Sequence, residues 1–266
     1  MYKSYYSLAQ EPFTKEANTS EAFTSSPYQE ALARLDYLQK ARGMGLIVGE
    51  PGAGKTFALR SFQESLNPSL YHVVYFPLST GGVMDFYRGI AYGLGEEPNF
   101  RKVDLFRQIQ SGIERMYKGR NITPVFILDE MHMAKDAFLN DLSVLFNFHM
   151  DAFNPFILVL AGLPHLRMRL GLNQNRPLAQ RLIMRYQMEA LNKDEVSEYV
   201  AHHLKAAGAK MPIFTEPALE AIALHSQGWP RLINTLATNS LLLGYQMKKE
   251  NIDEEVVRLA AEESGL

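Results

Sequence analysis

The sequence contains no cysteine, which excludes disulfides, thiolate metal sites and thiol nucleophiles together. It has no excess of either charge: 27 Lys and Arg against 29 Asp and Glu give a net −2. No global basic field advertises a polyanion partner, although a local basic face would suffice for one. No apolar run approaches the roughly 18 residues that a membrane span needs. The opening MYKSYYSLAQEPF lacks the apolar core of a signal peptide. Repeats of fixed period and low-complexity tracts are missing too. These absences predict a soluble, cytoplasmic protein with no membrane partner. What is present is ordinary globular composition, 47% hydrophobic and 21% charged over 266 residues, enough for one large or two small domains.

Residues 1–27 are polar and turn-rich, punctuated by Tyr2, Tyr5, Tyr6, Phe13 and Phe23, and predict a strap packed across a domain. From Pro27 a helix is expected, with Ala31, Leu32, Leu35 and Leu38 at threes and fours until Arg42-Gly43 breaks it. Short apolar runs at 45–48, 72–78, 124–128, 156–160 and 186–191 then alternate with helical periodicity at 56–66, 83–94, 103–117 and 138–150. All but the last run read as strands buried on both faces. Strand–helix alternation of this kind predicts an α/β fold, a parallel sheet between helical layers. After Leu191 only helices are expected, at 194–206, 217–226, 230–247 and 252–262. The predicted division is therefore residues 1–192, strap and core, and 193–266, a small helical domain.

Gly49-Glu50-Pro51-Gly52-Ala53-Gly54-Lys55-Thr56 fits G-x-x-x-x-G-K-[ST] at every fixed position. Glycines permit a tight loop whose N–H groups face phosphate oxygens, and the following helix adds its positive N-terminus. Lys55 is expected to reach the β/γ-phosphates and the Thr56 hydroxyl to ligate Mg²⁺. Chance produces such a match in roughly one chain in a hundred of this length, and here it sits between a strand and a helix. A second apolar run, Val125 to Leu128, ends in Asp129-Glu130. Asp129 suits Mg²⁺ and Glu130 suits orienting and deprotonating an attacking water, the pairing of an ATPase.

These residues, with YQEALARLDYL, ILDEMHM, LFNFHMDAFNPFILVLAGLPHLRMRL, RYQMEAL and GWPRLIN, resemble the AAA+ ATPases. Within them the chain is similar to the group holding the general-secretion ExeA ATPase and the transposon ATPases of TniB, TnsC and MuB type. The resemblance implies an AAA+ P-loop core with a C-terminal helical lid, using ATP and Mg²⁺ and working as a ring or filament. It implies arginines acting in trans on a neighbour's γ-phosphate: Arg181 and Arg185 first, then Arg176, with Arg167 and Arg169 earlier in the same region. Gly228-Trp229-Pro230-Arg231 matches the lid turn in which Pro230 and Arg231 would meet the nucleotide. Leu163 stands where relatives place a polar sensor side chain at the end of the fourth strand, so slow hydrolysis is expected.

Transposon relatives grip duplex DNA by its phosphates. Arg101 and Lys102 before one helix, and Lys118 and Arg120 after it, are the basic residues available, expected on one side of the sheet. The leading expectation is an ATP-assembled oligomer on DNA that recruits a transposase; the alternative is an ExeA-like secretion ATPase that energises envelope assembly, or another nucleotide-gated interaction module without DNA. His132 is expected to be a packing histidine rather than a metal ligand, His202 and His203 to lie on the surface, and Trp229 to anchor lid packing.

Overall fold

The computed structural model describes residues 2–14, 18–77 and 82–266. Its strands are β1 (Gly43–Val48), β2 (Tyr71–Pro77), β3 (Thr123–Asp129), β4 (Ile157–Gly162) and β5 (Leu182–Gln187). Helices α1 (Tyr2–Tyr5) and α2 (Ser26–Ala41) precede them. Between strands lie α3 (Lys55–Ser65), α4 (Val83–Gly93), α5 (Lys102–Glu114), α6 (Asp136–Leu145), α7 (His165–Leu170) and α8 (Arg176–Gln180). Four helices follow: α9 (Lys193–Ala206), α10 (Glu216–Ser226), α11 (Pro230–Gln246) and α12 (Glu254–Ser264).

The sheet order is β2-β3-β4-β1-β5, with every pairing parallel. β1 and β4 are buried at all positions and β3 at all but Thr123, as the continuous apolar runs require of strands covered on both faces. β2 departs from the expectation for 72–78: it is an edge strand in which Val74 alone is buried, and Leu78 lies outside the described residues. β5 is also an edge, four residues earlier than the expected 186–191. Leu182 and Met184 face inward while Ile183 and Arg185 face out. Arg181 precedes this segment and Arg185 interrupts it, which hides its period-two pattern.

Another expected helix, 138–150, ends at Leu145. Phe146 leaves the helix to stack on Phe126 and Phe156, at centroid distances of 5.3 and 4.8 Å. His149 and Met150 then adopt positive φ, which no helix continues through.

The chain groups into two units: Glu30–Gly49 with Lys55–Met188, and Met1–Gln29 with Glu50–Gly54 and Glu189–Leu266. In the sheet unit one core cluster runs from Met44 and Leu46 through Phe126, Leu128 and Leu160 to the inner faces of α4 to α8, while Leu35, Leu38, Ile47, Leu59, Ile127 and Val159 are buried outside it. In the helical unit the core includes Tyr6 and Leu8 alongside Val196, Ile222, Leu236 and Val257. The strap, expected with the sheet core, therefore packs on the helical unit. Tyr6 Oη donates to Lys249 O at 3.0 Å, and Ala9 N to Ala207 O at 2.8 Å. Asn192 and Glu195 start α9 with a reciprocal capping box, and Thr215 caps α10 with Pro217 in its first turn.

Candidate active site

In the sheet unit, β1 delivers Gly49, whose N–H donates to Gly162 O at 3.2 Å. α3 then begins at Lys55, which puts the positive end of the helix dipole at its first turn. The Lys55 ammonium is buried and donates to Gly49 O at 2.8 Å. Thr56 Oγ1 donates to Asp129 Oδ2 at 2.8 Å. Thr56, in the helix that follows β1, thus meets Asp129 at the end of β3 although β4 lies between the two strands.

Asp129, at the end of β3, is only 2% exposed. Its second oxygen accepts from Glu130 N at 2.8 Å. Glu130 turns into the left-handed region, φ 57° and ψ 29°, and its carboxylate is about half exposed. Tyr75 also reaches Asp129, its hydroxyl donating to Oδ2 at 3.3 Å. Burial and then the Asp129 carboxylate push this phenol up to about 12, so it remains a donor. Tyr75 was not legible in the sequence, because a tyrosine in an apolar run reads as packing. Parallel register, Tyr75 beside Ile127, is what aims it.

The tip of the glycine-rich loop belongs to the helical unit. Gly52 and Gly54 hold φ of +83° and +95°, which side-chain-bearing residues rarely adopt. Arg231 N donates to Gly52 O at 3.3 Å, and a Cβ on Gly52 would run into the Arg231 side chain. Pro230 opens α11 after Trp229, which sits half-buried at the N-cap.

Arg181 follows α8 at the N-terminal ends of β1 and β5, where Met44 pairs with Leu182, the end of the strands opposite the loop. Its guanidinium donates to Ser143 O and lines a cavity of about 410 Å³ with Gly43, Asn154, Gln180 and others. Arg185 is exposed on β5 and donates to Ala179 O. Arg176 is exposed at the start of α8, and Arg167 donates to Gln187 Oε1 at 3.2 Å. Arg169 does not fit a trans role: it donates to His132 O, Ala134 O and Asp136 Oδ1 at 3.0, 2.6 and 2.7 Å.

Nor do the four basic residues form one patch. Arg101 and Lys102 stand at the N-terminus of α5 and Lys118 and Arg120 beyond its C-terminus, so a helix of about 20 Å separates the pairs. Lys102 holds both oxygens of Asp141 at 2.8 Å. Lys118 pairs with Glu114 at 3.5 Å and meets His149 Nε2 at 3.2 Å. Arg101 and Arg120 are exposed.

His132 is a mostly buried side chain whose Nδ1 lies 3.3 Å from Glu130 Oε2. Burial lowers its pKa against the opposing pull of Glu130, with His165 and Lys55 adding to the fall. His202 and His203 are not the bare surface pair expected. The strap covers them: Phe13 lies 5.8 Å from the His203 ring and Phe23 5.7 Å from that of His202. Among the described residues no group of three or more His, Asp or Glu side chains could hold a metal, and no helix is long and apolar enough to cross a membrane.

The AAA domain family profile matches residues 38–170. The whole chain is 31% identical to General secretion pathway protein A of Aeromonas hydrophila, of which it spans 49%, about half the relative's length. Similar folds occur in Cdc6p of Pyrobaculum aerophilum, TM-score 0.72 at 18% identity over 95% of this chain and 70% of that one. The RuvB branch migration motor of Thermotoga maritima gives 0.57 at 21% identity, covering 95% and 73%.

Proposed function

Because the chain belongs to the AAA family and is a P-loop ATPase, we propose that its ATP cycle drives assembly with further copies and serves an envelope secretion complex. The observation that carries this reading is the 31% identity to General secretion pathway protein A over the whole of this chain. ATP as substrate puts the work in the cytoplasm.

The Thr56 hydroxyl and the Asp129 carboxylate, 2.8 Å apart, form the hard oxygen donor set that Mg²⁺ selects. Held there, Mg²⁺ would neutralise phosphate charge. Gly52 and Gly54 offer backbone N–H groups to the phosphates, and Lys55 exchanges Gly49 O for a phosphate oxygen. Glu130 takes the proton of the attacking water; Asp129 accepts from Thr56, Tyr75 and the Glu130 N–H, which fix its carboxylate. Arg231 reports nucleotide to α11 through its contact with Gly52. Arg181 and Arg185, remote from their own loop, act on a neighbour's nucleotide.

Mass in solution, measured by light scattering with a non-hydrolysable ATP analogue and then ADP, tests this. Large assemblies with the analogue alone, and no retention of a labelled random duplex, support the secretion reading. Tight, salt-sensitive duplex binding only with the analogue transfers the weight to a DNA-bound regulator with a transposase partner, read through Arg101, Lys102, Lys118 and Arg120. A monomer in both states overturns assembly.

A further inference from the structure

The turn that follows Asp129-Glu130 is fastened from three sides. Arg169 donates to the main-chain carbonyls of His132 and Ala134, and is itself paired with Asp136. Gly162, the last residue of β4, comes so close that a Cβ there would meet His132 N at 3.0 Å. The His165 ring packs edge-on against the His132 ring with centroids 5.3 Å apart. Held by backbone and ring, His132 directs Nδ1 to within 3.3 Å of Glu130 Oε2. That nitrogen is buried and, among the described residues, makes no hydrogen bond of good geometry.

A buried imidazole nitrogen without a partner is unfavourable, and one carboxylate oxygen stands within reach to relieve it. Catalytic hydrogen bonds of this kind are long before substrate binds and tighten in the loaded state. A carboxylate held through one oxygen keeps its other oxygen for a water. The end of β4 offers no polar side chain of its own at Leu163, yet His132, packed on Gly162, brings a polar atom to that same strand end.

We propose that His132 is a positioning residue for ATP hydrolysis, its Nδ1–H holding Glu130 Oε2 so that Oε1 faces the attacking water. The turn is the platform, with Arg169 fixing its carbonyls and Gly162 admitting it. This role rests on Glu130 as the general base.

Single-turnover ATP hydrolysis and titration with a fluorescent ATP analogue test it on His132→Phe, His132→Asn and Glu130→Gln. The Phe variant keeps a packed ring without an N–H, and the Asn variant keeps a donor near the Nδ1 position. In His132→Phe the rate should fall roughly tenfold to a hundredfold while nucleotide affinity stays within about twofold. His132→Asn should recover most of that rate, and His132→Phe combined with Glu130→Gln should be no slower than Glu130→Gln alone. A parental rate in His132→Phe beside an inactive Glu130→Gln overturns the positioning role and leaves the base standing. A parental rate in Glu130→Gln overturns the base itself. Equal losses in both His132 variants, with nucleotide affinity lost, make the residue structural and overturn the proposal.

Discussion

Lys55 is a buried cation whose ammonium already has a protein acceptor, Gly49 O at 2.8 Å. Nucleotide binding replaces that neutral acceptor by a charged phosphate oxygen, a stronger charge-assisted bond. Lys55→Ala should weaken ATP binding by roughly tenfold to a hundredfold, the worth of one such bond, with the unfolding midpoint little changed; titration calorimetry checks it. The loop, Asp129 and Glu130 were legible in the sequence because phosphate chemistry restricts residue type and spacing together. Tyr75 and the Glu130–His132 approach were not. Tyr75 depends on which strands are neighbours, and His132 on how Arg169, distant in sequence, holds a turn. Neither relation leaves a period or a spacing to read.

At the scale of elements, the strap is held by aromatic contact with α9. Phe13, Phe23 and Tyr199 surround His202 and His203, with Tyr199 4.3 Å from the His203 ring. His202 Nε2 also meets Glu21 O at 2.8 Å. Burial drives the His203 imidazole down to about 4, with neighbouring His202 adding and a backbone bond at Pro12 opposing. An unfolded chain protonates this residue near 6.5, so its contribution is fully present above pH 6.5. It is lost as pH falls from 6.5 towards 4, by at most about 3 kcal/mol. Urea unfolding of the parent should show that loss between pH 7.5 and 4.5, and His203→Phe should show a flatter profile. The strand expectations held in position and burial where a strand is covered on both faces; at the edges β2 held in position but not in burial, and β5 lies four residues early. β2 and β5 bury only part of their residues, so their composition says less about their place.

At the scale of the whole molecule, the proposed assembly places Arg181 of one copy at the nucleotide of the next. Glu130→Gln and Arg181→Ala should each be inactive alone. Mixed in equal amounts they should recover about a quarter of the parental ATPase rate, since one interface in four then pairs an intact base with an intact arginine. Failure of mixing to restore any activity assigns Arg181 to its cavity and to Ser143 instead. The ion pairs of Lys102 and Lys118 bear on the same scale. A basic run in sequence becomes a surface field only where the fold leaves its charges unpaired, and sequence does not display the partners Asp141 and Glu114.

The strand order also governs how this protein comes into being. β1 is flanked by β4 and β5, and the last of these ends at Gln187. During synthesis the phosphate motif emerges early while both neighbours of its strand are still unmade. At about 5–20 residues per second the intervening stretch takes roughly 7–30 s to translate. A wholly apolar strand, destined for complete burial, has both edges open until β4 is made at Gly162 and one edge open until β5 is made, which makes the nascent chain a client for holding factors. A ribosome stalled short of residue 157 bears the entire glycine-rich motif on a strand that has neither of its neighbours.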